Sequence, residues 1–204
     1  MRIAALSRVV TTMDREVFGR AREEAAKASE KIVEIRTVAT LSEIADLWSG
    51  FLIHVQRSYT RLRIACRSGP SKGWCDQVWQ TRNNDDLLKY VLHARNADEH
   101  GLAPVTTNKE GSIGLRPKKG NSLEIDHLQI GGGRIVMGPK LAANTEIIVV
   151  PAEVLLAPVW DRSVRYDLPT KHLGKDIGSI NMLSVAEHAE AYLRGVLDEA
   201  DEKF

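Results

Sequence analysis

Apolar positions recur at helical spacing through the first hundred residues and in short strand-like runs after them. The longest series is Leu41, Ile44, Ala45, Trp48, Phe51, Leu52, Val55, Tyr59, Leu62 and Cys66. Its steps of mostly three and four keep one stripe in register, so the pattern predicts a helix over 41–67 that forms a bundle seam. Thr40 caps this helix and Glu43 completes a capping box. Asp14 caps an earlier helix reaching about Val33, with Val17, Ala21, Ala25, Ala28 and Ile32 as its stripe. Arg22, Glu23, Glu24, Lys27 and Glu30 fill the opposite polar face, with Glu23 and Lys27 a favourable i, i+4 pair. The small residues of the stripe predict close approach to another helix. A third helix runs from the caps Asn84 and Asp85 to His100, with Leu87, Leu88, Val91, Leu92 and Ala94 inward and Gly101 at the left-handed terminal position.

Ser68–Gly73 breaks the long helix. It lacks the Gly-Lys-Ser/Thr after a strand that a phosphate loop requires. Trp74 and Trp79 lie in the short segment that follows and read as satellite core, with base stacking as the other reading. Three helices with short links before residue 101 indicate a helical bundle. Beyond it, 105–107, 113–115, 122–128, 134–137, 146–150 and 153–159 are strand-like, and Gly131-Gly132-Gly133 reads as a hairpin turn. Residues 167–181 are rich in turn signals. A last helix starts near Ser184 and runs to about Glu202, on the stripe Val185, His188/Ala189, Tyr192, Val196 and Ala200. It either covers the sheet or returns to the bundle. Val9–Thr12 reads equally as strand or tail. The fold class expected is α+β: an N-terminal helical bundle over 1–101, then an antiparallel β-rich segment with a C-terminal helix over 102–204.

Composition narrows the function. With 28 basic and 27 acidic residues among 204, the formal net charge is +1, which argues against a strongly basic nucleic-acid coat and leaves room for a local patch. Hydrophobic residues at 43% are enough for a core. No run approaches the ~18 apolar residues of a membrane span. Arg8 interrupts the N-terminal apolar stretch, so a signal peptide is not expected and the location expected is cytoplasmic. Cys66 and Cys75 form no Cys-x-x-Cys pair, which predicts neither a disulfide framework nor a metal site. Glu124, Asp126 and His127 would alternate across one strand, so they do not share a metal. No cofactor fingerprint is present.

The candidate chemistry gathers at the end of the third helix. His93, Asn96 and His100 share a face, being spaced i, i+3, i+7. His100 sits at a helix C terminus, where the macrodipole favours cations, and an imidazole there can give or take a proton. Arg95 can neutralise a phosphate oxygen, and Asn96 can hold a hydroxyl or orient an imidazole. Arg95 and His100 stand roughly 140° apart on an ideal helix. Either the helix unwinds near Glu99 or a second copy of the chain completes the site. The competing reading makes Arg95, Asp98, Glu99 and His100 capping groups and surface pairs. Arg57, Arg61, Arg63 and Arg67 make the second half of the long helix basic, as a solvated face or a phosphate-facing one. His54 reads as a satisfied core histidine; His172 and His188 lack partners in sequence.

Arg95-Asn96-Ala97-Asp98-Glu99-His100 resembles the Arg-x(4–6)-His motif of the HEPN superfamily, including the polar residue directly after the Arg. The resemblance covers roughly residues 41–101. It implies a helical bundle that dimerises and, in many members, cleaves RNA without metal or cofactor. The implied roles are His100 for proton transfer at the ribose 2′-hydroxyl or leaving oxygen, Arg95 for the phosphate and Asn96 for placement. Arg57, Arg61, His93 and Lys72 are the expected nucleic-acid contacts, with RNA or a nucleotide and a second copy as partners. The alternative is a non-catalytic dimerisation or nucleotide-binding module, or an adaptor, of phage or defence origin. Asp98 and Glu99 favour it, because acidic groups beside a phosphate site are unhelpful.

Overall fold

Four helices, among the described residues, carry the chain from Asp14 to Gly101: α1 (Arg15–Thr37), α2 (Leu41–Ala65), α3 (Pro70–Asn84) and α4 (Asp86–His100). The structure is a computed structural model and describes residues 13–38, 40–101 and 104–204; Val9–Thr12 lies outside them. The expected caps are in place. Asp14 accepts the N–H of Val17, Thr40 that of Glu43 and Asp85 that of Leu88. α2 ends two residues earlier than the periodicity predicts, at the cap Cys66.

The sequence predicts three helices here, and α3 corrects it to four. Gly69, at φ 73°, takes the left-handed turn out of α2, and Pro70 opens α3 at its first position, where its missing N–H is harmless. Ser71, Lys72, Asp76, Gln77, Thr81 and Asn83 dilute the stripe, so Trp74, Cys75, Val78 and Trp79 did not stand out as helical. A second correction concerns Glu24. The pattern puts it on the polar face of α1, yet it is 2% exposed. Its carboxylate accepts from His54 Nδ1 at 2.7 Å and Arg61 Nη1 at 2.7 Å, both on α2. His54 is thus the satisfied core histidine expected.

Past residue 104 the strands form antiparallel pairs, each a separate two-stranded sheet. β1 (Thr106–Lys109) pairs with β6 (Glu153–Leu156), β2 (Ser112–Pro117) with β5 (Thr145–Val150) and β3 (Leu128–Gly131) with β4 (Arg134–Met137). β7 (Val159–Asp161) pairs with β8 (Val164–Tyr166), and β9 (Lys171–His172) with β10 (Lys175–Asp176). The β3–β4 turn has Gly132 at φ 54° and Gly133 at φ 72°, the positive values a two-residue hairpin turn asks for. The expected strand at 122–127 is absent. Asp126 there accepts the N–H groups of Lys140 and Leu141 instead, capping the short α5 (Pro139–Asn144). α6 (Met182–Lys203) packs on α1, α2 and α4, so it returns to the bundle.

The chain divides into two compact units. One comprises residues up to Thr107 and from Val154 onward; the other is Asn108–Glu153. The first holds the bundle core, from Trp48, Phe51 and Leu52 to Leu193 and Leu197, together with the β7–β8 hairpin. The second has Leu141 and Thr145 buried, while Ile113, Ile147 and Val149 share an exposed face of the β2–β5 ribbon. No described helix is long and apolar enough to cross a membrane.

Candidate functional site

α4 stays helical through His100 and ends on Gly101 at φ 60°, which removes the unwinding near Glu99 that the sequence leaves open. Arg95 closes part of the angular gap itself. Its Nη2 donates to Glu99 Oε1 one turn on, and its Nη1 lies 3.4 Å from Asn96 Oδ1. Its Nε is buried without an acceptor. His100, one turn beyond Asn96, is exposed and has no hydrogen-bond or ion-pair partner among the described residues. Arg95 and Asn96 are therefore in contact, and His100 stands next to them unengaged.

The anchor of this end of α4 comes from far along the chain. Asp161 closes β7, is 4% exposed, and Oδ2 accepts from Asn96 Nδ2 at 2.8 Å and from His93 Nδ1 at 2.7 Å. Burial pushes its carboxyl up, but those two hydrogen bonds and the charges of His93 and Arg162 outweigh it and hold it below the ordinary value. It is then an ionised, acceptor-only group, so His93 donates to it through Nδ1 and turns Nε2 to the other side of the ring. The His93 ring lies flat on Tyr166 of β8, with centroids 3.6 Å apart and planes 11° from parallel. Between the strands, Arg162 at φ 49° and Ser163 at φ 66° take the two positive-φ turn positions without glycine. This conformation costs on the order of 1 kcal/mol per residue. Docking on α4 offsets it.

The other expected contacts scatter. Arg61 is turned to α1, where it donates to Glu24 and, at 3.1 Å, to the carbonyl of Arg20. Arg57 is exposed and has no ionic partner among the described residues. Lys72, on α3, pairs with Asp76 at 2.8 Å. Arg63, by contrast, lies 4.7 Å over the Trp79 ring, and Arg82 covers Trp79 at 5.2 Å and Tyr59 at 4.1 Å. Arg82 is 1% exposed, donates to Gln56 Oε1 at 2.6 Å and leaves Nη1 without an acceptor. Burial, with the like charge of Arg95 against the opposing influence of Tyr59, brings its guanidinium down to about 10.

Sequence reasoning missed Asp161, Tyr166 and Arg82. Asp161 pairs with residues 65 and 68 positions away, so no local spacing marks it. Arg82 had a signal: it lies three residues after Trp79, on one helical face. His172, left unpartnered by the sequence, has its Nδ1 2.9 Å from Asp85, which also accepts the N–H groups of Leu88 and Leu173. Among the described residues no group of three metal-ligating side chains converges. Comparison of the chain with protein-family models, curated proteins and solved structures returns no match.

Proposed function

We propose that this protein binds RNA through the exposed end of α4 and cleaves it as a HEPN-like, metal-independent endoribonuclease acting as a homodimer. The observation that carries the reading is the arrangement Arg95–Asn96–His100: a guanidinium in contact with a buried-anchored amide, and one turn on an exposed imidazole with no partner among the described residues. Glu99 holds Arg95 only from solvent, being 45% exposed, and such a pair is worth about 0–1 kcal/mol. A phosphate, which a guanidinium grips through two parallel hydrogen bonds, displaces it. His100 then moves a proton at the phosphodiester, and a second copy brings another Arg95 to the same charge. Arg63 on α2 and Arg67 just past its end, neither with a carboxylate partner among the described residues, extend the positive surface.

Cleavage of mixed-sequence RNA by wild type and His100→Ala, in excess EDTA, tests this. Wild type is expected to yield 2′,3′-cyclic phosphate ends and the variant to lose at least a hundredfold in rate. Equal rates, or no cleavage by wild type, remove the enzymatic reading. The non-catalytic dimerisation module is then favoured by the Arg95–Glu99 pair, and light scattering of Arg95→Ala would show a weakened dimer.

A further inference from the structure

Transesterification of RNA needs two proton transfers: one removes the 2′-hydroxyl proton and one supplies the leaving 5′ oxygen. His100 alone cannot be both at one instant. We propose that His93, held by Asp161, is the general base of the same site, so that one chain carries both the base and the acid. This rests on the RNA-cleavage reading.

The geometry sets His93 apart from the other histidines. Its Nδ1 is fixed 2.7 Å from a carboxylate that is 4% exposed, and its ring plane is fixed by Tyr166. Nε2 has no partner among the described residues and the side chain is 20% exposed. The other two histidine–carboxylate pairs have different work. Glu24 also binds Arg61 across the α1–α2 seam, and Asp85 also caps α4 and receives Leu173 N–H. Among the described residues Asp161 receives only His93 and Asn96 from side chains, and Asn96 in turn faces Arg95. One carboxylate therefore orients the base and, through the amide, the phosphate-binding cation. His93 and His100 lie on one face, about 10 Å apart along the axis at 1.5 Å per residue. In-line displacement puts attacking and leaving oxygens on opposite sides of phosphorus, so its base and acid must stand apart.

In the step, His93 Nε2 takes the 2′-hydroxyl proton as the O2′–P bond forms. The P–O5′ bond breaks and the His100 imidazolium protonates O5′. The products are a 2′,3′-cyclic phosphate and a 5′-hydroxyl end; water exchange then restores both imidazoles. Asp161 is a positioning residue. Asp161 and Tyr166 of the hairpin touch His93, Arg162 adds its charge at Asp161, and Lys89 stands one turn earlier on α4, paired with Asp86.

Replacing the scissile 5′ oxygen by sulfur gives a leaving group that needs no proton, and this separates the two roles. On that substrate His100→Ala regains cleavage to within about tenfold of wild type, whereas His93→Gln stays at least a hundredfold down. On ordinary RNA, His93→Gln lowers kcat by at least a hundredfold with KM within threefold, and the acid limb of its kcat/KM pH profile disappears. Asp161→Asn lowers kcat in the same sense, while Asp161→Glu restores part of it. In wild type, nitrogen-15 NMR of the imidazoles gives a readout that needs no variant to fold: a 2′-deoxy strand ending in one ribonucleotide 3′-phosphate, which keeps the 2′-hydroxyl beside a phosphate but has no 5′ oxygen to expel, is expected to shift the His93 Nε2 resonance. His93→Gln cleaving within threefold of wild type while His100→Ala is dead overturns the inference alone, as does an unmoved His93 resonance with bound strand. Absence of cleavage by wild type overturns the reading beneath it as well.

Discussion

The two sides of the bundle treat charge in opposite ways. Along α1 every arginine is neutralised: Arg15 by Asp201, Arg20 by Glu16, Arg22 by Asp198 and Asp201, and Arg36 by Glu187. The buried Glu24 inside that seam is answered by His54, Arg61 and Lys27. On the α2–α3 side, Arg63, Arg67 and Arg82 have no carboxylate in ion-pair reach among the described residues. A formal charge of +1 for the whole chain conceals this division. The paired side holds helices together; the unpaired side keeps positive charge beside aromatic rings, and it is there that we propose an RNA backbone lies.

The largest test of the division is Glu24→Gln. Removing a buried carboxylate leaves Arg61 and His54 partly buried without their anion, and loss of one partner of such a pair costs about 3 kcal/mol. Urea denaturation is expected to show a lower midpoint with unchanged slope. Acid has the same target. Burial raises Glu24, Asp85 and Asp161, yet their hydrogen bonds and neighbouring charges hold all three below the ordinary value. The unfolded chain therefore binds protons first as pH falls. Their stabilisation is fully present above about pH 5 and is lost below about pH 4, as the pH drops through the folded values. In Glu24→Gln that acid dependence should be shallower by one group. An unchanged midpoint in neutral urea would mean that the α1–α2 seam does not depend on its charge.

On the other side the sign reverses. Arg82 sits among Tyr59, Trp79 and Gln56 with no counter-charge among the described residues, so Arg82→Met is expected to raise stability by about 1 kcal/mol. A fall of more than about 2 kcal/mol would show that the stacked guanidinium is a structural keystone, since desolvated cation–π contacts are worth about that much. The unpaired side would then be as fully committed to the fold as the paired one.

How far the sequence carries follows from which interactions are local. Caps depend on residues three apart, so Asp14, Thr40, Asp85 and Gly101 were legible and so were the helices they bound. α3 was obscured because Gly73 and a run of polar residues mask its stripe, although Gly69-Pro70 announces its start. Glu24 was misplaced because its burial is compensated by side chains 30 and 37 residues away, on another helix. The candidate site divides along the same line. Arg95, Asn96 and His100 share one helix and could be read; Asp161 and Tyr166 come from a hairpin whose turn has Arg-Ser where Asn-Gly is the strong signal.

The subtlest contrast concerns exposed arginines that look alike in sequence. Arg63→Ala and Arg22→Ala each remove one cation from a partly exposed helix face, and each should change stability by no more than about 1 kcal/mol. Their effects on RNA should differ. Arg63 has a ring and, among the described residues, no carboxylate beside it, so its charge is available to a phosphate. Arg22 is already bound to Asp198 at 2.9 Å and Asp201 at 3.1 Å, so releasing it means breaking both contacts. Binding of single-stranded RNA measured against salt is expected to lose roughly 0.7 from its log–log slope in Arg63→Ala and nothing in Arg22→Ala. Equal slopes in both variants would place the RNA surface elsewhere and leave the open cations of α2 as a feature of folding alone.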